Sequence, residues 1–504
     1  MGKSMSADWN GFRWTLILRS ERCAMTTTQL DEALYRRYIL PTQRPRKRYV
    51  GVELEYPVVN LSGAAVNFQI VHHLTDLFVT QFAFDELHRD DEGEIYSAVS
   101  SLTGDCLSYD CSYNTLELSF GKEENIHVLN RRFRRYYTFI QQQLLRFGHM
   151  LTGMGINPNY RQNHNAPVPN GRYRMLLNHL SSYEKYGDIL PFHDHPNFGL
   201  FACASQVQLD VEEEQIPQTL QVFGKLEPFK TLLFANSLFR EDGGWILARD
   251  HFWRDSMHGY NPQNVDYYPD SIKRTEDLIR YLRTMSIFCT ERDGHYVNFT
   301  PMPAEAYFSA DSVVGEYNED GVRRELCFRP RLEDLPHLRS YKLEDLTYRG
   351  TIEYRSICQQ PVSQVFAPAA FHAGLAEQIP ALDEFLSRDA SLFGHGLDAG
   401  RLRDLLNRGV YPDYMDAEQV STALIGILDL AWSGLRARGF GEECFLEPLY
   451  VRAERLLSPA LELADGLSRG LPMYHFIKRF ADPDAKILLP QEESLFSNVR
   501  CSRF

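Results

Sequence analysis

Two short β-prone runs constrain this chain more than any other feature: Arg48-Tyr49-Val50-Gly51-Val52-Glu53-Leu54-Glu55-Tyr56-Pro57 and Gly350-Thr351-Ile352-Glu353-Tyr354-Arg355. Each sets two charged residues two positions apart among Val, Leu, Ile and Tyr. On a strand, period-two alternation puts both members of such a pair on one face. Two carboxylates side by side on a strand flanked by apolar residues repel each other unless something cationic sits between them. The second run supplies a third carboxylate, Glu353, with Arg355 beside it. Acidic strand faces plus a guanidinium are what a metal–nucleotide site needs, so the runs point to Mg²⁺-dependent phosphoryl chemistry.

Two further runs share the pattern. Asp110 and Glu117 lie in Tyr109-Asp110-Cys111-Ser112-Tyr113-Asn114-Thr115-Leu116-Glu117-Leu118-Ser119-Phe120-Gly121, and Gln206 and Gln208 alternate with Ser205, Val207 and Leu209. Oxygen ligands from separate strands pointing into one concave face could hold two or three Mg²⁺ ions against an ATP, with Arg355 forking onto the transferred phosphoryl. Taken singly, each run is an ordinary sheet face: an E-x-E strand is commonly solvated, and Arg355 beside Glu353 is a surface ion pair. Spacing does not make the strands neighbours. On the residues alone the reading stops at a metal-dependent enzyme.

The 504 residues, 44% hydrophobic, suffice for a large core or for two or three domains. A formal charge of −14 argues against nucleic acid as a partner. The basic clusters at Arg44–Arg48 and Arg131–Arg135 read as solvated flanks. Nine scattered cysteines without a CxxC fit a reducing, cytoplasmic setting. No apolar run approaches the roughly 18–20 residues of a membrane span. Met25 followed by Thr26 and an amphipathic run looks like a natural start, which makes residues 1–24 an upstream or disordered extension.

Strand-like runs at 48–59, 107–120, 199–211 and 349–358 are separated by helical stretches such as 123–153. Segment 244–330 mixes short strands with loops such as Asn318-Glu319-Asp320-Gly321. Helical patterns then cover 369–387, 417–439 and 448–466, with Gly439 and Gly466 where helix stops are expected. The division is therefore an α+β catalytic body over 25–368, a helical region over 369–481 packed on it, and a tail over 482–504.

In order, Gly51-Val52-Glu53-Leu54-Glu55, Tyr113–Gly121, Gln206-Val207-Gln208-Leu209-Asp210 and Thr351-Ile352-Glu353-Tyr354-Arg355-Ser356 resemble the glutamate–cysteine ligase family, nearest its plant-type and bacterial relatives. Gly171-Arg172-Tyr173, Cys203–Asp210, Phe234-Ala235-Asn236-Ser237-Leu238-Phe239 and the Leu428–Phe440 helix resemble further family segments, so the likeness spans roughly 45–470. It implies a glutamine-synthetase-like fold, a curved antiparallel sheet funnel backed by helices, and an ATP-dependent carboxylate–amine ligase. By the same resemblance Glu53, Glu55, Glu117 and Glu353 are metal ligands, with Gln206 at a further position and Asp110 as an additional one. Arg355 and Gln208 go to the nucleotide, with Arg355 and Glu53 central to catalysis. Arg249 and Trp253 keep the spacing of a pair that helps to hold glutamate. Arg172 and Arg174 are candidates for a substrate carboxylate or for surface ion pairs.

The implied substrates are ATP and amino acids, most simply glutamate and cysteine giving γ-glutamylcysteine, for a monomer or homodimer. The alternatives are another amine or amino acid, or a catalytically silent homologue. The sequence departs from the plant pattern at Asp110–Thr115, where a Glu-Pro-Gly-Gly turn is expected. It also departs at Phe201-Ala202 and at Ser356-Ile357-Cys358-Gln359-Gln360. These changes leave the acceptor amine less defined than the reaction. His193 and His195 lack a third ligand motif and read as a loop with satisfied polar groups. No GxxxxGK[ST] loop is present.

Overall fold

In the computed structural model, which describes residues 26–319 and 321–489, the chain enters through α1 (Thr27–Leu34). Thr26 caps it: its hydroxyl accepts from Gln29 N, and the Gln29 side chain accepts from Thr26 N. The expected extension over 1–24 and the tail beyond 489 lie outside the described residues.

β1 (Val50–Asn60) follows, with Val50, Val52, Leu54 and Tyr56 buried on one face. Next come α2 (Phe68–Phe82), β2 (Glu86–Arg89), β3 (Ile95–Val99), β4 (Cys106–Tyr109), β5 (Thr115–Glu123), α3 (Ile126–Leu145) and β6 (His149–Leu151). The chain continues through α4 (Gly171–Ser181), β7 (Ser205–Asp210), α5 (Ile216–Phe234), α6 (Ala248–Arg254), β8 (Val265–Asp266) and α7 (Thr275–Leu282). A four-stranded antiparallel sheet is built from β9 (Ser286–Arg292), β10 (His295–Pro303), β11 (Val313–Glu319) and β12 (Val322–Phe328), with α8 (Ala304–Ser309) between β10 and β11. β13 (Tyr341–Lys342), β14 (Glu344–Leu346) and β15 (Thr351–Tyr354) lead to the C-terminal helices.

The main sheet runs β14-β15-β7-β1-β5-β4-β3-β2, with β6 also on β1, and every pairing is antiparallel. Its apolar face is completed by Leu116, Leu118, Val207, Leu209, Ile352 and Tyr354, all buried. α3 packs against β5, α9 (Ala367–Ala376) against β7 and β1, and α5 against β14. The α+β organisation expected from the sequence is the one observed.

Several boundaries differ from the expectation. The helix predicted over 123–153 ends at Leu145, because Gly148 turns at φ +69° into β6. The stretch 369–387 is two helices, α9 and α10 (Ile379–Arg388), since Pro380 fits only a first helical turn. After α11 (Ala399–Asn407) comes α12 (Ala417–Arg438), stopped by Gly439 at φ +79° as predicted. The stretch 448–466 divides into α13 (Glu447–Arg455) and α14 (Pro459–Ser468), split by left-handed Leu456 and by Pro459. Gly466 is no stop: it lies inside α14, where a Cβ would strike the Phe476 ring of α15 (Met473–Ala481).

α12 has the length and apolar composition of a membrane span, which the sequence reading did not anticipate. Here Leu424, Ile427, Leu428, Ala431 and Leu435 are buried in the core. One contiguous core joins the sheet's apolar face to these C-terminal helices. The Arg44–Arg48 cluster is partly turned inward: Arg46 pairs with Asp210 and Glu377, and Arg48 with Glu377.

Candidate active site

The face of the main sheet opposite the core is a polar band. In β1 the alternation that buries Leu54 turns Glu53 and Glu55 to this side. Glu53 lies across from Gln206 on β7 and from Ser119 on β5, and Glu55 from Glu117. Glu353 faces Gln208 on one side and Asp345 of β14 on the other. The four runs singled out in the sequence are therefore adjacent. Asp110 sits in the bend between β4 and β5 rather than on a strand.

Amide groups separate the carboxylates. Gln208 Nε2 donates to Glu53 (2.8 Å) and to Glu353 (3.0 Å), while Gln206 Nε2 donates to Glu55 (2.9 Å). Ala204 N donates to the other Glu55 oxygen at 2.6 Å, and Ser119 Oγ donates to Glu117. Arg355 Nη1 donates to Glu353 at 2.8 Å.

Burial, then the neighbouring Glu353 and Glu117, pushes the Glu53 carboxyl well above its usual range. Burial also raises Glu55. Asp110 is pushed up to about 7 by burial and then by Glu55, and Glu117 to about 7 by burial and then by Asp110. Asp345 rises to about 6, burial and Glu353 outweighing the opposing pull of Arg355. Burial works against the charge on Arg355, but Glu353 and Asp345 more than compensate and hold it protonated.

This donor set fits hard divalent cations. Its carboxylates crowd together at a cost in repulsion, and Gln206 Oε1 is buried without a hydrogen-bond partner. Among the described residues no three His, Cys, Asp or Glu side chains are already drawn to one cation-sized point. Glu53, Glu55, Asp110, Glu117, Gln206 and Glu353 are the residues that would hold such ions.

At the Glu53 end the band opens into a cleft of about 820 Å³, within the range of nucleotide-sized sites. Arg44, Lys47, Lys122 and Arg349 bring positive charge to its lining, and Tyr49 and Tyr348 bring aromatic faces. Arg44 and Lys47 read from the sequence only as part of a solvated basic cluster and Tyr49 only as part of the first strand run, and Lys122, Tyr348 and Arg349 carry no motif. Asp345 was missed as well, although Glu344-Asp345 carries a signal. Period two sends Asp345 to the site and Glu344 to the core, where it meets Lys230 at 3.1 Å.

At the other end, Arg355 Cζ lies 5.6 Å from the Trp253 ring, and a small cavity is lined by Arg249, Trp253, Tyr341 and Arg355. The polar atoms Trp253 Nε1, Tyr341 OH and His258 Nδ1 are buried there without partners, and the His258 ring stacks on Tyr341 at 3.6 Å. His258 and Tyr341 had no motif to reveal them.

The predicted arginines diverge. Arg249 reaches the site, but its guanidinium donates to the carbonyls of Arg355, Ser356 and Ile357, leaving Nε unpaired. Arg172 lies near enough to Asp110 and Glu117 to favour their charged forms. Arg174 instead pairs with Asp91 on the surface at 2.6 Å. The ring nitrogens of His193 are both used within the fold, toward Phe252 O and His195 N. Gln359 and Gln360, among the departures from the plant pattern, are wholly buried. Gln359 bonds Ser205, and Gln360 bonds Phe234 O and Arg452. They belong to the core and line neither the cleft nor the small cavity.

Comparison with known proteins gives a consistent family. The chain is 22% identical over 365 residues to the chloroplastic glutamate–cysteine ligase of Solanum lycopersicum, covering 71% of this chain and 64% of that one. It is 23% identical over 369 residues to the Brassica juncea protein of the same name, covering 69% and 64%. The chain thus spans less than two thirds of the length of these relatives. Among solved structures, the glutamate–cysteine ligase of Francisella tularensis in complex with AMP aligns with a TM-score of 0.45 at 12% identity, covering 88% of this chain and 91% of that one. A family profile described as glutamate-cysteine ligase family 2 (GCS2) matches residues 49–387, more than half of the sequence, and the chain belongs to that family.

Proposed function

We propose that this protein is an ATP- and Mg²⁺-dependent ligase that joins a carboxylate to an amine through an acyl phosphate, most simply glutamate to cysteine. The observation that supports this most strongly is the band itself. Glu53, Glu55, Glu117, Gln206 and Glu353 stand on four adjacent strands, with Arg355 just past the last of them, beside a nucleotide-sized cleft with basic lining. The names of the curated relatives agree with it.

A carboxylate does not condense with an amine at neutral pH because its leaving group would be oxide; phosphorylation replaces that with phosphate. The basic and aromatic lining of the cleft binds the nucleotide, and Gln208 spaces Glu53 from Glu353 at its inner end. When bound, divalent cations supply positive charge against the phosphates. Arg355, held protonated by Glu353 and Asp345, forks onto the oxygens of the transferred phosphoryl and steadies its charge in flight. The carboxylate donor is held beside Arg355 and Trp253, where the unpaired Trp253 Nε1 and Tyr341 OH offer it hydrogen bonds; the cavity there is about 20 Å³ and must widen to admit it. An acyl phosphate hydrolyses, so water has to be kept from it while the amine attacks.

The test is ATP turnover with glutamate and a panel of amines. Cysteine-dependent phosphate release with formation of γ-glutamylcysteine is the expected result. Turnover with another amine only would redirect the substrate, and no turnover with Mg²⁺ under any pairing would leave a silent homologue.

A further inference from the structure

Arg403 stands on α11, beyond the region that the family profile matches. It is 2% exposed, and its guanidinium bridges α6 and α5. Nε donates to Asp250 at 2.6 Å, and Asp250 is the residue between Arg249 and the rest of α6. Nη1 donates to Glu227 O at 2.6 Å and to Thr231 Oγ1 at 2.9 Å, and pairs with Glu227 Oε2 at 2.5 Å. The other Glu227 oxygen accepts from Ser356 Oγ at 2.8 Å, next in sequence to Arg355. One buried cation thus ties the helix that carries Trp253 to the segment that follows β15.

Asn407, one turn on, repeats the link. Its Nδ2 donates to Asp250 Oδ2 at 2.9 Å, its Oδ1 accepts from Thr231, and its backbone oxygen accepts from Ile246 and Leu247 at the entrance to α6. α6 is only seven residues long and has no side-chain cap. Its placement therefore depends on contacts such as these.

We propose that Arg403 is a positioning residue for the active site: it holds the Trp253 side of the donor pocket in register with the Arg355 side. The inference rests on the ligase reading for its kinetic consequence, because donor affinity depends on that register and ATP affinity does not. None of the residues that line the 820 Å³ cleft is bonded to Arg403 or Asn407. A lysine at 403 keeps the charge but cannot satisfy Asp250 and Glu227 together.

The experiment compares the full-length protein with Arg403→Lys. In hydrogen–deuterium exchange without substrate, residues 248–254 and 355–358 should exchange about tenfold faster while 417–438 stays unchanged. In steady-state kinetics the KM for the carboxylate donor should rise about tenfold, with the KM for ATP within about twofold. Asn407→Ala, which leaves Arg403 in place, should give the same pattern at smaller amplitude and serves if the lysine variant does not fold. Unchanged exchange in both segments would overturn the tether. Donor and ATP KM values moving together, or neither moving, would reduce Arg403 to a general stabilising role. If wild type joins glutamate to no amine, the ligase reading falls, and the exchange data still decide the tether.

Discussion

Glu53 carries the sharpest conflict in the molecule, since it is recessed in the sheet beside Glu353 and Glu117. That arrangement is unfavourable for folding and useful only to a cation. Glu53→Gln should therefore lose turnover by at least about 10³-fold, yet melt at or above the wild-type temperature in the absence of divalent ions, by about 1–2 °C. Wild type should gain thermal stability on adding Mg²⁺ and ATP, and the variant should gain much less. Differential scanning fluorimetry with and without Mg²⁺ checks this, and an active variant would remove Glu53 from the metal site. Period two put Glu53 with Glu55, and Glu353 with Arg355, on one face because it fixes which side a strand residue takes; Glu117 and Gln206 were given roles as ligands only by the family resemblance. Period two says nothing of where a long side chain ends: Arg249 turns onto backbone carbonyls and Arg174 onto Asp91.

Helices α9 and α12 cross where both lack a side chain. A Cβ on Gly434 would run into the carbonyl of Gly374, and one on Gly374 into that of Ala431. Replacing Gly by Ala inside a helix is worth up to about 1 kcal/mol in propensity, but overpacking against rigid backbone costs about 1–3 kcal/mol or more. The clash wins, so Gly434→Ala should lower stability by about 1–3 kcal/mol. Gly400→Ala, whose Cβ would meet only ordinary contacts at 3.4 Å or more, should be neutral or slightly stabilising. Urea unfolding of the two variants side by side decides it; equal stabilities would mean that the crossing can spread at no cost. This also explains why Gly439 was readable as a stop and Gly466 was misread. A glycine that ends a helix and one that admits a neighbour's ring look the same until the neighbour is known.

The sequence divides into strands first and helices last, which suggested a catalytic body with a helical region packed on it. The core does not follow that division. Phe371, Leu375, Leu382, Leu424, Leu428 and Leu435 are fully buried and continuous with the sheet's apolar face. Arg438 donates to Arg48 O, just before β1, and Arg452 to Leu233 O at the end of α5. Helical periodicity marks an apolar face but not what covers it, so the shared core was invisible to a pass along the chain. Strand order was hidden for the same reason: β1 lies between β5 and β7, and no spacing encodes that. Burying each of these Leu and Phe side chains is worth about 1.5–3 kcal/mol, so together they rival the whole stability of a typical fold, about 5–15 kcal/mol. A chain ended at residue 366 should therefore fail to fold on its own, collecting in the insoluble fraction or binding a hydrophobic dye without a cooperative melt. A soluble 1–366 fragment with a sharp thermal transition would show that the strand-rich part is a domain after all. It would also move Arg403 from the architecture of the site to the surface of a separate unit.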